Sequence, residues 1–276
     1  MIEANGVGLC TEAFGDPTYP PILLIQGMSG SMLFWEDPFC RMIVAGGRFV
    51  IRYDHRDTGH SVTYEPGHPG YTGADLVADA AAVLDAYGIE AAHVVGVSMG
   101  GALAQLLALD HRDRVLSLVL ISTSLALAGR DALPPPTDEL TQFATTAQVD
   151  YSDADSVIGY LVDYSRVLAG AQRTFDEAAV RELARRDLER ARNFASAPNH
   201  AVAPEGAKER APLSSISAPT LVIHGTADPM FPIEHGEALA AEIRGARLLA
   251  LAGAGHGVDP ADWQTIVSAI LEHTRG

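Results

Sequence analysis

Ser98 sits in Gly96-Val97-Ser98-Met99-Gly100, between the apolar run Ala92–Val95 and a helical pattern that starts at Ala102. A G-x-S-x-G sequence carries weight only where a strand enters it and a helix leaves it, and both are predicted here. The sharp turn strains the backbone at the serine, so small residues must stand two positions to either side. Gly96 and Gly100 supply them. A serine hydroxyl is a weak nucleophile unless an imidazole stands beside it, itself oriented by a carboxylate. Two segments near the C-terminus offer these groups. The run Ala218–Ile223 reads as a strand and is followed by the turn His224-Gly225-Thr226-Ala227-Asp228-Pro229. The run Ala246–Leu251 ends in Ala252-Gly253-Ala254-Gly255-His256-Gly257. Ser98, Asp228 and His256 thus each lie just past a strand's C-terminal end, the edge where open parallel sheets bind ligands.

With these residues in place, the chain resembles a serine-nucleophile α/β-hydrolase over essentially its whole length. The resemblance implies the order nucleophile, acid, histidine, with Asp228 in the acid's usual post-strand turn. Asp259, three residues past His256, is the competing acid. The family's His-Gly-x segment corresponds to Gln26-Gly27-Met28, after the strand-like Pro21–Ile25. By resemblance the amides of Met28 and Met99 form an oxyanion hole, and losing one such donor typically costs about 2.7–4 kcal/mol of barrier. Gln26 departs from the histidine of many relatives. That position tunes the loop and lies outside the triad, so the expected mechanism stands.

The segment Phe49–Ser61, with Leu24-Ile25-Gln26-Gly27 and the pair Phe34-Trp35, is similar to a narrower branch. It contains aclacinomycin methylesterase-like enzymes and serine macrolide esterases, which act on bulky polyketide esters or lactones. Gly27, Phe34 and Trp35 are the candidate substrate-binding residues. A tryptophan at this point can equally plug the floor of the site. Asp54, Arg56 and Asp57 are expected to brace their turn through ion pairs and Asx-type bonds. His224 is read as structural.

Elements must hold these residues in place. Residues 1–124 alternate strands and helices: a hairpin at Asn5-Gly6, strands at 21–25, 49–53, 93–97 and 115–121, and a helix at 74–87 stopped by Gly88. Such alternation implies a parallel sheet with right-handed crossovers. Residues 125–212 break the rhythm, opening on Pro134-Pro135-Pro136 and closing among Pro198, Pro204 and Pro212, with helical patterns between. The expected architecture is an α/β-hydrolase fold: a mostly parallel eight-stranded sheet flanked by helices. Residues 1–124 and 213–276 form the core, and a helical cap over 125–212 is inserted after strand 6. Phe143, Tyr151, Tyr160, Tyr164, Phe175 and Phe194 are candidates to line a pocket from the cap, or to pack it against itself.

Composition fits one such enzyme. The 276 residues include 47% hydrophobic and 20% charged side chains. Against 35 acidic residues stand 19 basic ones, a net charge of −16 that argues against nucleic acid or an anionic membrane as partner. No apolar run approaches the roughly 18 residues of a membrane span. The N-terminus lacks a basic, then apolar, leader, so the expected location is cytoplasmic. Cys10 and Cys40 are expected as reduced thiols, and the histidines show no metal-ligand spacing.

The expected activity is ester or lactone hydrolysis of a bulky, polyketide-like small molecule such as a macrolide, through an acyl-enzyme and without metal or cofactor. Opening such a macrolide would confer resistance to it. The alternatives are an anthracycline-type methyl esterase, or perhydrolase, C–C hydrolase or acyl-transfer chemistry on the same residues. A non-catalytic ligand-binding protein has no need of a base, so the Ser98, Asp228, His256 set argues against it.

Overall fold

In the computed structural model of the chain, residues 1–127, 129, 132–170, 172–206 and 209–275 are described. The strands are β1 (Ile2–Ala4), β2 (Val7–Leu9), β3 (Thr11–Phe14), β4 (Pro21–Ile25), β5 (Phe49–Tyr53), β6 (Ala92–Val97), β7 (Val115–Ile121), β8 (Thr220–Gly225) and β9 (Arg247–Leu251). The main sheet has the order β3-β5-β4-β6-β7-β8-β9; only the β3–β5 pair is antiparallel.

Both faces of this sheet are covered, so its inner strands β4 to β8 read as largely apolar runs rather than alternating ones. Alternate residues feed two cores. Leu23, Ile25, Val94 and Leu120 pack with the helices α2 (Gly73–Ala86), α3 (Met99–Asp110) and α8 (Glu234–Glu242). Ile22, Leu24, Val95 and Ile121 pack on the other side with α1 (Asp37–Ala45) and α9 (Trp263–His273). Cys40 of α1 is fully enclosed there, its Sγ donating to the Trp35 carbonyl at 3.3 Å. The ends of α2 are written locally. Thr72 accepts from the Asp75 N–H while Asp75 accepts from the Thr72 N–H at 2.8 Å, a reciprocal capping box, and Gly88 follows at φ 68°.

Among the described residues the sheet holds seven strands, not the expected eight. β1 and β2 pair only with each other, in a ribbon turned by Asn5 (φ 48°) and Gly6 (φ 75°). The ribbon buries Ala4 and Leu9 in the α2 core, and Asn5 Nδ2 donates to Asp79 Oδ1 at 3.0 Å. At Cys10 the chain leaves the ribbon for the sheet. There its N–H goes to Ser61 Oγ and its carbonyl accepts from the Asp54 N–H.

Between β7 and β8 run α4 (Asp138–Thr146), α5 (Ala154–Ala169), α6 (Glu177–Arg190) and α7 (Asn199–Val202), and no strand among the described residues. With one strand fewer in the sheet, this insertion follows its fifth strand, not a sixth. Its own small core joins Ile158 and Val162 of α5 to Ala184 of α6.

Candidate active site

Ser98 joins β6 to α3 with φ 54° and ψ −122°, a conformation that non-glycine residues adopt only under constraint. The constraints are visible. The Ser98 N–H donates to the Ile121 carbonyl at 2.9 Å, and Thr123 Oγ1 donates to the Ser98 carbonyl at 2.7 Å. A Cβ on Gly96 would lie 2.2 Å from the Gly100 carbonyl, and one on Gly100 would lie 2.2 Å from the Ile25 carbonyl. Both glycines are therefore demanded by space. Met99 opens α3, where a backbone N–H has no partner inside the helix.

The loop after β4 crosses directly over this turn. A Cβ on Gly27 would stand 3.2 Å from Ser98 Cβ and 3.8 Å from its Oγ. Gln26 folds its side chain onto the loop, Oε1 accepting from the Gly27 N–H at 2.8 Å. Met28 leaves its side chain half exposed. Phe34 leans on Gly30, with its ring 3.4 Å from where a Cβ there would stand. Trp35 requires a correction. It is 1% exposed, stacks on Phe39 at 5.6 Å between ring centres and belongs to the core beneath the sheet. It contributes volume there, not a surface for substrate.

Asp228 follows β8, and its carboxylate is fully committed. Oδ1 accepts from the N–H groups of Met230 and Phe231, each at 2.9 Å, and Oδ2 accepts from His256 Nδ1 at 2.8 Å. Burial alone would raise its pKa, but His256 and the Phe231 N–H outweigh that and hold it below the ordinary carboxylate range. The bond at Nδ1 leaves His256 Nε2 free of the acid. Asp259 instead turns to cap the following helical turn, accepting from the Ala261 N–H at 2.7 Å. His256 is fixed by its backbone as well, its N–H donating to the Leu168 carbonyl at the end of α5 at 2.8 Å. Asp228 and His256 are thus joined, while Ser98 shares their sheet edge. Among the described residues no hydrogen bond links its hydroxyl to His256. Catalytic hydrogen bonds often tighten only once substrate is bound.

Behind the acid stands His224. Its Nε2–H donates to the Phe231 carbonyl at 2.7 Å and lies 3.5 Å from Asp228 Oδ2, while its buried Nδ1 has no hydrogen-bond partner among the described residues. Burial lowers its pKa and keeps it neutral, so it is a donor to the turn, not half of an ion pair.

Two further histidines buttress the loop over Ser98. His55 Nε2–H donates to the Gln26 carbonyl at 2.9 Å. His200 of α7 accepts from the Ser29 N–H at 3.0 Å through Nδ1 and donates from Nε2 to the Arg56 carbonyl at 2.8 Å. Burial pushes each of them down to about 4. The charged turn behaves as a brace. Asp54 accepts from the Met32 N–H and pairs with Arg190; Arg56 grips Asp79 through two 2.7 Å bonds; Asp57 accepts from the Tyr71 hydroxyl at 2.8 Å.

Phe143, Tyr160 and Tyr164 form one group on α4 and α5. Their rings lie within 34° of parallel, with centres 5.5, 5.8 and 6.1 Å apart. In a stacked column the outer rings would be about twice as far apart as neighbours. Near-equal separations instead make a compact triangle of rings, in which Tyr164 stacks on both Phe143 and Tyr160. Burial pushes Tyr164 up to about 12, with Tyr160 and the charge of Asp228 adding to the shift.

Among the described residues no group of three or more His, Cys, Asp or Glu could hold a metal ion, and no helix is long and apolar enough to cross a membrane.

A strained serine between strand and helix, on the same edge of a mostly parallel sheet as a joined carboxylate and imidazole, defines a class. The chain belongs to the α/β-hydrolase family, whose model matches residues 20–258. Its enzyme class is carboxylic-ester hydrolase. It is 36% identical to rhodomycin D methylesterase of Streptomyces sp. (strain C5) and to that of Streptomyces peucetius, over 100% of this chain and 97% of each relative. Among solved structures, a hydrolase from Pseudomonas aeruginosa PA01 superposes with a TM-score of 0.75 at 29% identity, covering 100% of this chain and 97% of that one.

Proposed function

We propose that Ser98, His256 and Asp228 act as nucleophile, base and orienting acid of a serine esterase. The observation that carries this reading is the Asp228–His256 hydrogen bond at the sheet edge where Ser98 is held in strained backbone. In this reading His256 Nε2 takes the Ser98 proton as Oγ attacks the ester carbonyl. The amides of Met28 and Met99 receive the negative charge of the tetrahedral intermediate. His256 then protonates the departing alcohol, and water activated by the same imidazole releases the acid from Ser98.

For the substrate we infer a methyl ester on a bulky, flat polyketide of the anthracycline type. The full-length likeness to rhodomycin D methylesterases supports it, and the aromatic cluster of Phe143, Tyr160 and Tyr164 on the insertion is of a kind that suits an aromatic polyketide. The macrolide reading rests on the branch resemblance of the sequence alone and ranks second. The helical insertion, residues 125–212, would serve as a cap over the core formed by 1–124 and 213–276.

Mass spectrometry tests all of this at once. The protein is incubated with p-nitrophenyl esters, an anthracycline methyl ester and a 16-membered macrolide, beside Ser98→Ala. Loss of a methyl group from the anthracycline ester, absent in the variant, is the expected result. A gain of one water on the macrolide would reverse the ranking. Turnover of nitrophenyl esters alone would remove both bulky substrates. No turnover, together with no labelling by a fluorophosphonate, would overturn the esterase.

A further inference from the structure

The loop 26–31, which carries Met28, is pinned at two points by imidazoles that come from opposite parts of the chain. His55, just past β5, holds the carbonyl of Gln26. His200, on α7 of the insertion, holds the N–H of Ser29. The two rings stand 5.7 Å apart and nearly perpendicular, and both residues are buried. The pinned atoms bracket Met28 on either side along the chain.

Elementary donor and acceptor rules fix the state of His200. A carbonyl can only accept, so the Arg56 contact requires a proton on Nε2. A backbone N–H can only donate, so the Ser29 contact requires a bare Nδ1. Both ring nitrogens are used, and no freedom is left to flip the ring. The bond is also needed locally. Ser29 has φ 62°, a left-handed conformation that costs a serine about 1–3 kcal/mol and persists only when its surroundings hold it. Its hydroxyl gives a second tie to the insertion, donating to the Ala197 carbonyl at 2.9 Å. The neighbouring Asn199 anchors α7 in turn, Nδ2 donating to Asp57 and to the Glu65 carbonyl while Oδ1 accepts from the Gly67 N–H.

We propose that His200 is a positioning residue for the oxyanion hole: by accepting the Ser29 N–H it holds the loop in the strained form that aims the Met28 amide over Ser98. The inference rests on the esterase reading above, in which that amide is a donor. It gives α7 a role in the chemical step, beyond any contact of the insertion with substrate.

Two substitutions separate the ring's two bonds. His200→Asn keeps an acceptor at the position of Nδ1 and gives up Nε2. His200→Gln keeps a polar group at the position of Nε2 and leaves Ser29 without an acceptor. With p-nitrophenyl butyrate, His200→Gln should lose about tenfold or more in kcat with KM within about twofold, whereas His200→Asn should stay within about threefold of the parent. Affinity for a trifluoromethyl ketone, which places an oxyanion in the hole, should fall in parallel with kcat. Amide hydrogen exchange at Ser29 should quicken about tenfold in His200→Gln and not in His200→Asn. Equal losses in both variants, a loss confined to KM, or unchanged exchange at Ser29 would overturn the proposal. Failure of the esterase reading shows differently, as a parent protein that neither turns over the ester nor takes a fluorophosphonate.

Discussion

At Ser98 the protein stores strain that a relaxed turn would avoid, and it does so again at Ser29 (φ 62°) and Ser122 (φ 44°). Ser122 Oγ accepts from the Gly257 N–H, next to His256, so all three strained serines stand on loops of one sheet edge. Strain concentrated this way is what a prebuilt site requires. His224 belongs to the same economy of fixed positions. His224→Leu removes the donor that closes the 228–231 turn, and kcat should fall about tenfold while His224→Gln, which keeps an N–H, recovers most of it. Steady-state kinetics on a nitrophenyl ester decides this, and equal rates in the two variants would dismiss the role. Ser98, Asp228 and His256 were legible in the sequence because each sits in a local strand-to-turn signal. His200 was not. Its partner Ser29 is 171 residues away, and no local pattern reports such a pairing.

Among the elements of the insertion, α5 reaches the His256 loop directly. Its last carbonyls come so close to the loop after β9 that a Cβ on Gly255 would lie 2.2 Å from the Leu168 carbonyl and 2.4 Å from that of Ala169. Gly255→Ala must push the helix end away and break the bond to the His256 N–H. Activity should drop more than about tenfold and the melting temperature by several degrees, at about 4 °C or less per kcal/mol for a chain this long. Calorimetry beside an esterase assay measures both, and an unchanged kcat would refute the coupling. Strand positions were readable because buried parallel strands are continuous apolar runs. The missing eighth strand was not, since residues 2–9 carry the same pattern whether they join a sheet or close on themselves. What diverts them is the α2 surface that covers Ala4 and Leu9.

The whole molecule should lose stability in mild acid for a countable reason. His55, His93 and His200 are each pushed down to about 4 by burial. Between their unfolded value near 6.5 and that figure the unfolded chain binds protons that the folded chain refuses. Stability is therefore complete above about pH 6.5 and falls as pH drops toward 4, by about 1.4 kcal/mol per pH unit for each histidine. Asp187 works the other way. Burial raises its carboxyl to about 6, so the folded state binds the proton first and gains as pH falls through that value. Denaturant midpoints between pH 7 and 4 should decline, and His93→Gln should flatten the decline by one histidine's share. A midpoint independent of pH would show that these rings titrate normally. Composition and net charge hide this behaviour, because burial of a histidine is decided by packing across the entire chain.

Cys40 lies at 0% exposure, and burial pushes its thiol up to about 12, while Cys10 lies partly open. A thiol-specific dye added to the native protein meets Cys10 alone. Each later modification of Cys40 records one excursion in which α1 has left the sheet. At dye concentrations high enough for modification to outpace reclosing, the chain therefore carries its own stopwatch for unfolding, readable without denaturant as the slow phase of dye uptake.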